Sequence, residues 1–281
     1  MQKEKLWLAA LALAATNVCA QAPLERGKYL VEGILTCGNC HTPRGPKGVL
    51  DTANRHAGGP QVWETAEYKV RPSNITPDKD SGIGGWSAEQ VKAAIRDGKR
   101  PNGQQISPQM PYGFYKIFTP ADLDAVVAYV QSIPPVSRKV EPPVYKVKNM
   151  VVDIPPGAAK PMPEGALKDP VKRGFYLATI GHCMECHTPM DKGHRDFKNA
   201  LGTGGEKFEG PWGVTASRNI TPHKEIGIGA WTDDEIKRAI TKGVRKDGSK
   251  MRPPMGFDWY ATMTDADLSA IVAYLRSIPA R

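Results

Sequence analysis

Apolar residues at helical spacing close each half of the chain. Leu123, Val126, Val127 and Val130 fall three and four apart, and Leu268, Ile271, Val272 and Leu275 repeat the pattern further on. Thr119-Pro120 and Thr264-Asp265 carry the start signals of these two helices, and Pro134 and Pro279 stop them. Earlier in each half, Ser87-Ala88-Glu89-Gln90 and Thr232-Asp233-Asp234-Glu235 have the form of capping boxes, each opening a helix that ends at Gly98 or Gly243. A shorter helix is predicted from about Leu24 to Thr36, and another from about Pro170 to His182. Gly-rich loops join these elements, and the stretch VWETAEYKV in the first of them predicts a small hairpin.

The two sets of elements are one unit written twice. Arg26-Gly27-Lys28-Tyr29-Leu30 recurs as Arg173-Gly174-Phe175-Tyr176-Leu177, and Asn74-Ile75-Thr76-Pro77 as Asn219-Ile220-Thr221-Pro222. Gly82-Ile83-Gly84-Gly85-Trp86 recurs as Gly227-Ile228-Gly229-Ala230-Trp231, at an offset of 227 − 82 = 145. A period this long marks a duplicated domain, since solenoid repeats are shorter. The expected architecture is all-α: a first domain over 21–134, a linker over 135–169 and a second domain over 170–281, each domain with its own core. Nine prolines between 134 and 170 make the joining segment extended and stiff, running along the surface and fixing one domain against the other.

Residues 1–20 stand apart from this pattern. Lys3 and Lys5 precede the short apolar run LWLAALALAA, and Val18-Cys19-Ala20 offers a small-residue cleavage site, the form of a secretory signal peptide. The run is too short for a membrane span, which takes about 20 apolar residues. No later segment has the length and apolarity to span either. Removal of this segment takes away Cys19 and leaves four of the five cysteines, Cys37, Cys40, Cys183 and Cys186. The net charge of +9 falls to 9 − 1 = +8 without Lys3, Glu4 and Lys5. Its basic residues are spread along the chain without a dense run, which argues against nucleic-acid binding and fits a solvated surface.

All four remaining cysteines lie in two copies of C-x-x-C-H, TCGNCHTP and HCMECHTP. One helical step between the sulfurs lets both reach one edge of a haem, and the next residue, His41 or His187, aims an imidazole at the iron. This spacing is that of covalent haem c attachment. A redox dithiol needs no histidine after it, and a zinc site would require both motifs to converge on one metal. A disulfide across three residues is strained outside catalytic sites. Two copies in matched repeats favour haem over all three.

On these residues the chain resembles class I c-type cytochromes, over about 24–134 and 170–281. The N-I-T-P and G-I-G-x-W segments resemble, more narrowly, the cytochrome subunits that serve periplasmic alcohol, gluconate and aldehyde dehydrogenases. Those subunits often carry three haems and a membrane-binding tail. With two motifs and an end at Ile278-Pro279-Ala280-Arg281, this chain is expected to be a two-haem relative with at most peripheral membrane association. The resemblance implies a methionine ligand on the far side of each iron. Met110 in PQMPYGFY is the one methionine between His41 and the linker. In the second copy Met251, Met255 and Met263 compete, Met190 lying too near His187. The repeat offset selects Met255, since 110 + 145 = 255, with Met251 as the alternative and Met263 as core filler. The resemblance also places Trp86, Trp231 and the N-I-T-P segments near the haem propionates, although plain packing accounts for them equally. His56, His194 and His223 read as surface histidines in loops, and His182 as a helix cap.

The function expected from these residues is electron transfer, not catalysis. Histidine and methionine fill both axial positions, so no substrate can reach the iron, and the thioether raises the reduction potential. Expected partners are an electron-donor dehydrogenase and an acceptor cytochrome or oxidase in the periplasm, meeting a basic surface through acidic patches. The alternative is a two-haem redox enzyme of the peroxidase or thiosulfate dehydrogenase type. It would need an open iron, or a histidine or cysteine ligand in place of methionine.

Overall fold

A computed structural model describes residues 22–210 and 212–281, so the signal-peptide reading of residues 1–20, with Cys19, lies outside the described residues. The first half carries helix α1 over residues 22–31. It is followed by α2 (Cys37–His41), α3 (Ala88–Asp97), α4 (Tyr112–Tyr115) and α5 (Pro120–Ser132). The second half repeats the set as α6 (Pro170–Ile180), α7 (Cys183–His187), α8 (Asp233–Lys242), α9 (Phe257–Tyr260) and α10 (Asp265–Ser277).

The helices start where the side chains predict. Ser87 and Gln90 close a capping box on α3, and Thr232 and Glu235 close the matching one on α8. Thr119 and Thr264 each accept the N–H of an aspartate three residues on, opening α5 and α10. Such caps contribute about 1 kcal/mol apiece. Gly98 (φ 62°) and Gly243 (φ 60°) end α3 and α8 in the left-handed region, where a side chain would be strained. α1 ends five residues short of the expected Thr36. The residues before the motif helices, Thr36 (φ 50°) and His182 (φ 43°), are left-handed in both copies. Each imposes a sharp turn on entry to the cysteines, at a cost of about 1–2 kcal/mol for a residue other than glycine.

Short strands occupy the loops. β1 (Trp63–Glu64) and β2 (Tyr68–Val70) form the predicted hairpin, and β3 (Val144–Tyr145) from the inter-repeat segment adds a third antiparallel strand, pairing Tyr68 with Tyr145. In the second half, β4 (Met190–Asp191) pairs with β5 (His194–Arg195), and β6 (Lys207–Gly210) with β7 (Gly213–Ala216). The inter-repeat segment is therefore more than a surface spacer. Met150 is buried with Tyr68 and Val70, Ala158 is buried in the main core, and the Met162 N–H donates to the Ile117 carbonyl at 2.9 Å.

The halves do not have separate cores. Leu30, Ile34 and Val126 of the first and Tyr176, Leu177 and Val272 of the second belong to one contiguous apolar cluster. The entry and exit helices of each half cross at a glycine: a Cβ at Gly27 would fall on the Ala125 carbonyl, and one at Gly174 on that of Ala270. Close backbone approach at these crossings brings buried Asp122 and Asp267 against the neighbouring half. Asp122 accepts from Arg26 of its own half (2.8 Å, twice) and from the Tyr176 hydroxyl of the other (2.7 Å). Asp267 accepts from Arg173 of its own half (2.7 Å) and from the Tyr29 hydroxyl of the other (2.6 Å). The two halves are thus tied by a reciprocal pair of hydrogen bonds. No described helix is long and apolar enough to cross a membrane.

Candidate functional site

Each C-x-x-C-H motif is a one-turn helix, so its two cysteines, three apart, share a face. All four thiols are free and half-buried. Burial pushes Cys37 and Cys186 up to about 12 and Cys40 and Cys183 up to about 11. Reactive dithiols have depressed pKa values, so these sulfurs do not fit a redox dithiol.

The histidines are held by backbone. Nδ1 of His41 donates to the Ser73 carbonyl at 2.7 Å, and Nδ1 of His187 to the Arg218 carbonyl at 2.7 Å. That bond assigns the tautomer and leaves Nε2 with a free lone pair, the arrangement of a metal-binding imidazole. Burial lowers His41 to about 4 and lowers His187 as well, so both rings are neutral at pH 7. The N-I-T-P segment builds the acceptor. Asn74 Oδ1 takes the Thr76 N–H (2.9 Å) and hydroxyl (2.7 Å), and Asn219 does the same for Thr221 (2.8 and 2.7 Å). These turns fix the carbonyl one residue upstream, at Ser73 or Arg218.

Met110 and Met255 occupy matching places immediately before α4 and α9. Both are half-buried and pack against the cluster that Cys37, Cys183, Trp86 and Trp231 also touch. Met263 is buried inside that cluster. Met251 is half-buried, and Met190 is exposed on β4. Among the described residues three buried donors lack partners, Arg100 Nε, Arg238 Nε and Trp212 Nε1, and Arg100, whose charge acts on His41, suits an anionic group beside the first motif. Among the described residues no group of three or more His, Cys, Asp or Glu side chains could hold a metal ion. Two thiols on one face, a free imidazole nitrogen and a thioether, present twice, fit a covalently attached haem in each half.

Several residues depart from expectation. His56 is buried, with a left-handed backbone (φ 64°). Its Nε2 lies 2.8 Å from Glu32, which also takes the Tyr129 hydroxyl (2.9 Å) and pairs with Arg55 (2.7 Å). Its partner stands 24 residues away, which a loop reading could not anticipate. Gly202 fills this place in the second half, its N–H donating to Thr188 as the His56 N–H does to Thr42. His182 makes no side-chain cap bond; its ring lies edge-on to Tyr115 of the first half, centroids 6.5 Å apart. His194 is exposed and pairs with Asp153 of the inter-repeat segment (3.0 Å), while half-buried His223 accepts the Glu225 N–H. Trp259, which no motif flagged, packs on Gly38 inside the first motif, with the Arg55 guanidinium 5.4 Å over its ring. The first motif helix therefore meets α9 of the other half.

The family model for cytochrome c matches residues 24–134 and again 171–279. The chain is 32% identical to the fructose dehydrogenase cytochrome subunit of Gluconobacter japonicus, over 96% of this chain and 58% of that protein. It is 30% identical to the cytochrome c subunit of the quinone alcohol dehydrogenase of Gluconacetobacter polyoxogenes, over 97% of this chain and 59% of that one. To a diheme cytochrome c-type protein of Cereibacter sphaeroides it is 31% identical, over 87% of this chain and 82% of the relative. The chain thus spans about three fifths of the dehydrogenase subunits and most of the diheme protein.

Proposed function

The chain belongs to the cytochrome c family, and from that premise we propose that it carries two covalent haem c groups and relays electrons from a dehydrogenase to a downstream cytochrome or oxidase. The observation that carries this reading is the doubled donor set, in which each C-x-x-C-H helix has its histidine held by a backbone carbonyl and a methionine packed on the same core cluster. In this proposal Cys37, Cys40, Cys183 and Cys186 hold the porphyrins, with His41 and Met110, and His187 and Met255, as axial ligands. Haem iron supplies a one-electron couple when bound.

The protein's own residues do the rest. The Ser73 and Arg218 carbonyls fix each imidazole, and Met110 and Met255 would supply thioethers that favour the reduced state of a bound haem. The shared core and the packing of α9 on the first motif helix keep the sites in fixed relation, so an electron could pass between them without domain motion. The dehydrogenase partner is supported by the fructose and alcohol dehydrogenase subunits among the relatives. A periplasmic location is supported by the N-terminal segment and by the need for an exporting route before haem c attachment. Net positive charge suits partners that present acidic patches.

Carbon monoxide tests the reading. Reduced holoprotein with both axial positions filled should bind it slowly and weakly at neutral pH, with peroxide turnover near background. Rapid, tight binding at either site would favour a redox enzyme with an open iron. Intact-mass analysis should show two haems surviving denaturation on a chain starting near Gln21; a mass with no haem would sink the proposal.

A further inference from the structure

The loop that delivers Met110 is tied down from outside. The Ser107 N–H donates to the Tyr145 hydroxyl on β3 at 3.2 Å. Gln105 bonds Met150 twice, accepting its N–H at 3.0 Å and donating to its carbonyl at 2.9 Å, and also donates to the Tyr112 hydroxyl at 2.7 Å. Gln109 reaches the Tyr68 hydroxyl on β2 at 3.2 Å. Tyr145 and Met150 belong to the inter-repeat segment, anchored there by pairing with β2 and by the burial of Met150.

The loop that delivers Met255 has none of these ties. At the repeat offset Lys250 replaces Gln105, Arg252 replaces Ser107, Phe257 replaces Tyr112 and Gly213 replaces Tyr68. Lys250, Arg252, Pro253 and Pro254 are exposed. Both loops share local backbone bonds, among them Ile106 N–H to Gly98 in the first and Met251 N–H to Gly243 in the second. Beyond such local bonds, among the described residues, the Lys250–Met255 stretch gains from a distant segment one long hydrogen bond, Arg252 to the Trp212 carbonyl at 3.3 Å.

We propose that residues 144–150 act as a strap over the Met110 loop, with Gln105 and Tyr145 as positioning residues for that ligand, and that Met255 is the methionine that yields to an added ligand. The inference rests on the methionine ligation proposed above. Displacing a methionine requires its loop to open. A net hydrogen bond contributes about 1 kcal/mol and about 1.4 kcal/mol is a factor of ten, so the strap should separate the two sites by at least about tenfold in ligand concentration. The exchange breaks one sulfur–iron bond and forms one nitrogen–iron bond, with no change of oxidation state.

The test is an imidazole titration of oxidised holoprotein, following each methionine–iron absorption band and the shifted methionine methyl resonance, with Met110→Ala and Met255→Ala assigning the signals. Two steps are expected, the Met255 signal disappearing first. Gln105→Ala should bring the Met110 step about tenfold closer to the Met255 step without moving the latter, and Tyr145→Phe, a milder change, should do so in part. Amide hydrogen exchange should show Met110 protected more than Met255. A single shared step, loss of Met110 first, or equal shifts of both steps in the variants would overturn the strap while leaving the ligation intact. Absence of a methionine signal from both sites before any imidazole is added would overturn the ligation itself.

Discussion

The helices α2 and α7 present the same three side chains in the same left-handed entry, with the same histidine-to-carbonyl bond, yet part of their surroundings differs. The first is backed by buried His56 with its Glu32, Arg55 and Tyr129 partners and overlaid by Trp259 of the other half. The second has Gly202 and Thr179 in the corresponding places, with Met184 where the first has Gly38. Groups proposed to hold the iron would be constrained by coordination chemistry, and they come out alike. Groups one layer out are constrained by packing, which each half solves separately, and there the environments of two identical ligand sets are free to diverge.

Replacing the methionines should produce the largest effect. Met110→Ala should abolish the methionine–iron band of one haem and lower its potential, and Met255→Ala should do the same to the other, as resolved by spectroelectrochemical titration. Met251→Ala should leave both bands intact. Loss of a band in Met251→Ala but not in Met255→Ala would mean the repeat offset misassigned the second ligand.

Breaking the tie between the halves comes next. Asp122→Ala and Asp267→Ala each leave an arginine and a tyrosine hydroxyl without their acceptor. The full cost for a buried pair is about 3–5 kcal/mol; partial exposure of Arg26 and Arg173 reduces the expected loss to about 2–3 kcal/mol. Both halves should unfold together in denaturant, because they share one core. Two separated transitions in the wild-type protein would argue against that continuity. Tyr176→Phe removes one crossed bond and Tyr29→Phe two, since the Tyr29 hydroxyl also accepts the Thr264 N–H at 3.1 Å, at about 1–2 kcal/mol per bond. The loss per bond should be larger at wholly buried Tyr176 than at half-buried Tyr29.

The smallest effect distinguishes the halves by pH. Burial opposes the charged form of Glu32, but hydrogen bonds from His56 and Tyr129 and the charge of Arg55 outweigh it, and its pKa lies below the ordinary 4.5. A depressed acid stabilises the fold above its unfolded pKa and loses that contribution as pH falls through the folded value. Glu32→Gln should therefore flatten the loss of stability below about pH 4.5, measured as the denaturation midpoint against pH. Thr179→Val, at the matching position of the second half, should leave that slope unchanged.

How far these features could be read in advance depended on how far apart their partners lie. The capping boxes of α3 and α8 were legible because cap and partner stand three residues apart and the side chains name the motif. The repeat offset carried the Met110 site onto Met255 because the loops keep their length between the glycine cap and the methionine. The crossed bonds of Tyr29 and Tyr176 span 238 and 54 residues, and neither sequence neighbourhood hints at the other. β3 was missed because two residues in a Pro-rich stretch show no alternation; they become a strand by pairing with an edge already in place. One core in place of two has the same origin, since apolar spacing reports which face of a helix is buried but not against which half.

The two histidine acceptors carry a consequence for mutational tolerance. Ser73 and Arg218 differ in size, charge and exposure, and neither uses its side chain to orient the imidazole. Every amino acid has a main-chain carbonyl, so no substitution at either position deletes the acceptor; only a change that moves the backbone can. The vulnerable points therefore lie one residue downstream, at Asn74 and Asn219, whose side chains shape the turn. A saturation scan should find positions 73 and 218 permissive and 74 and 219 restrictive, inverting what a search for histidine's direct contacts would rank first.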